Sequence, residues 1–268
     1  MKDHLFSLLS GAAQPSSKVG ILREYLQARL LQLLQAQGCF TTWAFHGGTA
    51  LRFLYGIARF SEDLDFTLHG PWHPMDFRKT LDKIGKGFEA EGYEVQVKIG
   101  AEKIVASAFI KFPGLLHEAG LSPRRDQNFS VKIELDTRPP GHISRASTLV
   151  RRHVMLNLYH HDKPSLLSGK IHALLARPYV KGRDLYDLLW YLSDPSWPRP
   201  NLPMLNAALE QTGWKRPLPT AENWRSTLWD RLHGVDWPQI RKDVMPFLER
   251  PDEAELLNGD TMGSLLVR

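Results

Sequence analysis

Hydrophobic positions fall into two regimes along the chain. Between residues 18 and 37, KVGILREYLQARLLQLLQAQ, Ile21, Leu22, Leu26, Leu30, Leu33 and Leu34 recur at near-helical intervals and predict an amphipathic helix. TTWAF, residues 41–45, reads as a short buried strand running into His46, Gly47 and Gly48, and Thr49 to Tyr55 reads as the helix after it. DLDFTL, residues 63–68, alternates acid with apolar side chains, the period-two pattern of a half-buried strand. Residues 75–91 return to a helical period, and YEVQVKI, ASAFIKF and VKIELD alternate again as three more strands. Beyond residue 150 the regime changes: VMLNLYH reads as a last strand, and most of the remaining chain as helices separated by prolines. The pattern predicts an α/β or α+β front half, residues 1–160, and a mostly helical back half, residues 161–268. The proline-dense LSDPSWPRPNLP, Leu192 to Pro203, is the expected hinge.

Composition narrows the class only a little. A chain of 268 residues with 43% hydrophobic content can bury a real core in one large domain or two modest ones. Its formal charge of +5 suits a polyanionic partner without requiring one, because runs such as SPRRDQ, RRH and WKRP serve equally as solvated surface. The single cysteine, Cys39, excludes an internal disulfide framework and a multi-cysteine zinc site, and reads as a small buried residue. No stretch approaches the ~20 apolar residues of a membrane span, and the opening MKDHLFSLLSGAAQPSSK is too broken for a signal peptide, so a cytoplasmic location is expected.

Chemistry concentrates in FHGGTALRFLYGIARFSEDLDFTL. Glycines after a strand let the backbone approach a ligand, and the helix beginning there adds a positive dipole end suited to phosphate, which makes Gly47, Gly48 and Thr49 a candidate phosphate cradle. Asp63 and Asp65, two apart on a strand, project from one face and can share a divalent cation that also holds phosphate oxygens. A two-metal site wants a third carboxylate, and VKIELDTRPP offers two, Glu134 and Asp136, on the face opposite Val131, Ile133 and Leu135. A second constellation lies in SGKIHALLARPYVKGRDLYDLLWYL. Lys170 and Arg177 sit two turns apart on one expected helix, and Asp184 and Asp187 share a face of the next. Such groups can neutralise a leaving pyrophosphate, or pair with one another, as in an Arg183 to Asp187 surface ion pair.

Together these motifs resemble the AbiEii/AbiGii toxin family of nucleotidyltransferases, within the DNA polymerase beta-like superfamily, in order and over residues from the forties to about 190. The resemblance implies an α+β fold, a mixed nucleotidyltransferase sheet with flanking helices, followed by a helical part. It implies that Gly47, Gly48 and Thr49 take nucleotide phosphates, and that Asp63 and Asp65, with Glu134 or else Asp136, bind Mg2+ or Mn2+. Lys170, Arg183, Asp184 and Asp187 correspond to the family's later nucleotide-binding and catalytic signature, with Glu134 or Asp184 as proton acceptor. Thr49 replaces a frequent serine of the superfamily, and Glu134 a frequent aspartate.

The implied reaction is transfer of a nucleoside monophosphate from an NTP to an acceptor hydroxyl, on tRNA or another RNA. The implied setting is a type IV toxin–antitoxin system of abortive infection, with an antitoxin encoded nearby. A nucleotide-sugar transferase would account for Asp63 and Asp65 but not for the glycines or the Lys170 to Asp187 block. A binding protein that kept the fold and lost the chemistry would not need both aspartates. In the tail, Trp224, Leu228, Leu232 and Trp237 are expected to pack into the core rather than stack on bases, and His46 is expected in a packing or backbone-phosphate role.

Overall fold

The computed structural model describes residues 2–11 and 15–267, which form two compact units. The first comprises residues up to Leu54, Phe60–Arg138 and Ser147–His160; the second comprises Tyr55–Arg59, Pro139–Ala146 and the chain from His161 onward.

The first unit opens with helices α1 (Lys2–Ser10) and α2 (Pro15–Ala36). There follow β1 (Trp43–His46), α3 (Gly47–Tyr55), β2 (Leu64–Leu68), α4 (Pro74–Ala90), β3 (Gln96–Gly100), β4 (Val105–Phe112), the single turn α5 (Leu115–Glu118), β5 (Phe129–Asp136), β6 (Arg145–Arg152) and β7 (Val154–His161). The strands form a mixed seven-stranded sheet in the order β3-β4-β5-β2-β1-β7-β6. β2 runs parallel to β5, and β1 parallel to β7, while β1–β2, β3–β4 and β4–β5 are antiparallel. The architecture is α+β.

Alternation decides which face is covered. Val131, Ile133 and Leu135 of β5, Ala106, Ala108, Ile110 and Phe112 of β4, and Leu64, Phe66 and Leu68 of β2 are all buried. Helices α2 and α4 pack over this unit, and Trp43, Phe66 and Phe77 stack in a chain from β1 and β2 onto α4. The residues between them face away from that core, and among these are Asp65, Lys132 and Glu134.

The expected helices and strands of this half are present, with α2 spanning 15–36 and β5 extending two residues ahead of VKIELD. Two elements had no signal. β6, RASTLVRR, is an edge strand with no buried residue, so burial never imposed alternating hydrophobicity on it. α1 buries only Leu5 and Leu9, too few to establish a period.

The second unit is helical: α6 (Lys163–Ala176), α7 (Gly182–Leu192), α8 (Leu202–Gln211), α9 (Trp224–Leu232), α10 (Trp237–Val244) and α11 (Gly259–Leu266). Its prolines start helices as well as separating them. Asp162-Lys163-Pro164, Asn201-Leu202-Pro203 and Asp236-Trp237-Pro238 each place a capping side chain before a proline in the first turn, and each cap accepts from the backbone N–H three residues on. Leu192 to Pro203 is not a hinge: it joins α7 to α8 inside this unit, with Trp197 stacked against Tyr55, Trp190 and Tyr191. Trp224, Leu228 and Leu232 of α9 are buried, as their spacing predicts, whereas Trp237 begins the separate helix α10 and is only half-buried. None of the described helices is long and apolar enough to cross a membrane.

Candidate functional site

The motif around Gly47 becomes a site through strand pairing. β1 delivers His46 directly opposite Asp65 on antiparallel β2, and the chain then turns at Gly47, whose φ of 79° is left-handed backbone. A β-carbon at Gly47 would run into Asp65 Oδ2, so glycine here is what lets the α3 N-terminus and the Asp65 carboxylate lie in contact. On the other side of β2, the parallel register sets Asp65 beside Glu134 of β5. Asp136 pairs with Thr67 instead, and its Oδ1 accepts the Arg138 N–H at 2.9 Å, closing the turn after β5.

Thr49 lies differently from Gly47. It is fully buried, and its hydroxyl donates to the main-chain carbonyl of Asp63. The side chain therefore ties the first turn of α3 to the residue before β2 and sets the spacing of the two halves of the motif. Gly48 is buried as well.

Negative charge gathers around Asp63. Burial pushes the Asp63 carboxyl up to about 6, and repulsion from Asp65 and Glu134 adds to it. Lys132, on the same face of β5, supplies one opposing charge, its Nζ 2.7 Å from Glu134. Burial disfavours that ammonium, but Glu134, Asp63 and Asp65 outweigh it and raise the lysine's pKa. Among the described residues no three His, Cys, Asp or Glu side chains close into a metal cage. The donor set nonetheless fits an open magnesium site, which uses one or two carboxylates and takes its remaining oxygens from substrate phosphates. A cation there would favour the ionised form of Asp63, which burial and the neighbouring acids disfavour.

The second constellation, within the helical unit, is of the opposite kind. Asp187 is wholly buried and takes a two-pronged pair from Arg59, Nε to Oδ1 and a terminal nitrogen to Oδ2, both at 2.6 Å. Lys170 Nζ lies 2.6 Å from Asp187 and 3.1 Å from Asp184, and Arg177 closes on Asp184 from the other side. Burial pushes the Asp184 carboxyl up, but Lys170 and Arg177 outweigh it and hold it below the ordinary range. Asp187 is thus paired in the interior with Arg59, 128 residues away in sequence, as well as with Lys170. Arg183 lies over the Phe247 ring, 4.3 Å from its centroid. The start of α7 is sealed by α10: the Gly182 N–H donates to Asp243 at 2.6 Å, and a β-carbon there would strike the Ile240 carbonyl.

Arg59 carries no motif signal beyond being a lone cation in the apolar run GIARF, and sequence reasoning missed it. Glu24 was missed for the same reason. It lies buried in α2 and pairs with Arg52 at 2.5 Å and with Arg152 and His153 at 2.9 and 3.0 Å. Burial raises its pKa, but those three partners bring it down to about 2. Two residues of the basic run RRH thus belong to a buried ion cluster.

A mixed sheet that seats an acid pair beside a glycine-started helix, followed by a helical unit, is the build of a nucleotidyltransferase. The chain belongs to the AbiEii nucleotidyl transferase toxin family of type IV toxin–antitoxin systems, whose family model matches residues 29–258. Among solved structures, the MenT4 nucleotidyltransferase toxin of Mycobacterium tuberculosis H37Rv superposes with a TM-score of 0.54 at 16% identity, covering 99% of each chain. JHP933 of Helicobacter pylori superposes with a TM-score of 0.52 at 17% identity, covering 92% of each chain. At such identities the likeness is one of fold. No curated protein matches the chain. Family membership makes the chain a nucleotidyltransferase and removes the ground for the nucleotide-sugar alternative.

Proposed function

We propose that the chain transfers a nucleoside monophosphate from an NTP to a hydroxyl of a tRNA-class RNA, as the toxin of a pair whose antitoxin is encoded nearby. The observation that carries this reading is the pairing of Asp65 beside Glu134 in the sheet, with Gly47 against Asp65 and the carboxyl of Asp63, just before β2, raised to about 6. Asp63 and Asp65, with Glu134 at their side, would hold Mg2+ or Mn2+. A cation held by these carboxylates would supply positive charge to offset that of the triphosphate. Gly47 and Gly48 present the α3 N-terminus to the phosphates, while Thr49 holds that turn against β2. The acceptor oxygen attacks the α-phosphorus, the bond to the bridging oxygen breaks, and pyrophosphate carries away the released charge. Asp184 is held ionised by Lys170 and Arg177 and is correspondingly weak as a base, so Glu134 is taken as the proton acceptor. The protein acts in the cytoplasm.

Incubation with each α-labelled NTP, magnesium and total tRNA tests the proposal. Label is expected in RNA, and Asp65→Ala is expected to lower transfer at least about 1,000-fold, the several kcal/mol that a metal ligand supplies. Induced expression is expected to arrest a bacterial host, and Asp63→Ala to relieve the arrest. An Asp63→Ala protein as toxic as the unaltered chain would defeat the catalytic account.

A further inference from the structure

The less buried face of the first unit's sheet continues past the acids. Strand pairing aligns Lys98 of β3, Phe109 of β4 and Lys132 of β5 in one row across it. The next row on the same face runs through Gly100, Ser107, Glu134, Asp65 and His46. Phe109 stands in mid-strand with 37% of its surface exposed, and Lys98 beside it is exposed as well. A phenylalanine flanked by lysines on an open sheet is not explained by packing, since alternate positions of the same strand, Ala108 and Ile110, supply its core contacts. Lys132 connects the two rows: its Nζ lies 5.7 Å from the Phe109 ring centroid and 2.7 Å from Glu134.

A cavity of about 410 Å³ opens at this row, bounded by Phe109, Asp63, Lys132 and Arg23, with Gln127 and Asn128 at its rim and Glu62 beside Asp63. Its volume falls in the ~300–1,000 Å³ range of small-ligand sites. Gln127 and Asn128 are amides able to pair with the edge of a base. In the strand order the cavity lies on the β5 and β4 side of β2, whereas Gly47 meets Asp65 from the β1 side. The acids are therefore approached from two flanks, one built for phosphate and one lined by an aromatic ring, cations and amides.

We infer that the second flank seats the acceptor: a single-stranded RNA 3′ end stacks a base on Phe109, rests its phosphates against Lys98, Lys132 and Arg23, and brings its terminal hydroxyl to Asp63. Stacking platforms with adjacent cations hold single strands in this way, the ring taking any base and the lysines tracking the backbone. The inference rests on the nucleotidyl-transfer reading and adds the place and chemistry of the acceptor.

Anisotropy of a 5′-labelled single-stranded RNA of about 12 nucleotides with a free 3′-hydroxyl tests it without turnover. Phe109→Ala is expected to weaken binding roughly tenfold, and Phe109→Trp to hold it within about twofold. Lys98→Glu, at an exposed position that folding does not depend on, is expected to weaken binding and reduce its salt dependence. In the transfer assay Phe109→Ala is expected to raise KM for RNA and leave KM for NTP unchanged. Undiminished RNA binding by Phe109→Ala or by Lys98→Glu overturns the assignment, as does a Phe109→Ala defect confined to KM for NTP, which would place the donor's base there. Phe109-dependent RNA binding without transfer by the unaltered chain would uphold the surface and remove the reaction.

Discussion

Asp63 and Asp184 are both substantially buried aspartates, and their surroundings drive them in opposite directions. Asp63 in the sheet unit has two acids for neighbours and a carboxyl raised to about 6, whereas Asp184 in the helical unit has Lys170 and Arg177 and is depressed. Burial opposes ionisation in both, so the sign is set by what the neighbouring elements bring. The first environment leaves negative charge available to a ligand. The second uses its charge to join elements, Arg59 to α7 and α6 to α7. Glu24 shows that the sheet unit can build the second kind too, which makes the exposed repulsion around Asp63 a local property of the site.

The strongest way to break this contrast is Asp187→Ala. It leaves Arg59 without its buried two-pronged partner and is expected to cost about 3–5 kcal/mol in urea unfolding, while Arg59→Met with Asp187→Leu recovers most of the loss. A cost below about 1 kcal/mol would mean that the cluster does not hold the helical unit together.

Gly47→Ala probes the site itself, by forcing a β-carbon into left-handed backbone and against Asp65. Displacing that carboxylate is expected to reduce transfer about 100-fold, with about 1–2 kcal/mol lost in stability. Wild-type turnover in this variant would separate Gly47 from the chemistry.

The smallest effect sharpens the comparison most. With its folded pKa raised, Asp63 stays protonated while the unfolded chain ionises, so its presence lowers stability as pH climbs from about 4 to about 6 and keeps it low above that. In metal-free buffer Asp63→Asn is therefore expected to stabilise the protein by about 1–2 kcal/mol at pH 7.5, allowing for solvent access, and by nothing at pH 3.5. Asp184 has the reverse dependence: its contribution is present above the unfolded pKa and lost as pH falls through the depressed folded value. Thermal melts of Asp63→Asn and Asp184→Asn across pH 3–8 should diverge in sign, and parallel curves would refute the opposition.

Much of the sheet unit was legible because its strands alternate: Asp65 between buried Leu64 and Phe66, and Glu134 on the less buried face of β5, follow from period two, whereas Asp63 lies just before β2. Choosing Glu134 over Asp136 as neighbour of Asp65 needed the register, which is decided by how β2 and β5 meet across some 70 residues of intervening chain. β6 was invisible because an edge strand without a buried face leaves no pattern. The helix starts of the second unit were written plainly in three Asp/Asn-X-Pro triplets, whereas the supposed hinge became a packed turn around Trp197.

Local spacing by itself determined the elements, the acid pair, the glycines beside it and the family they signal. Those features depend on neighbours a few residues apart, where backbone geometry leaves few choices. Tertiary structure alone decided which distant charges meet: Asp187 met Arg59, Glu24 met Arg52 and Arg152, and the Asp63 and Asp65 pair met Glu134. Electrostatic environment is summed over space rather than along the chain, so aspartates of the same chemistry are driven up in one unit and down in the other.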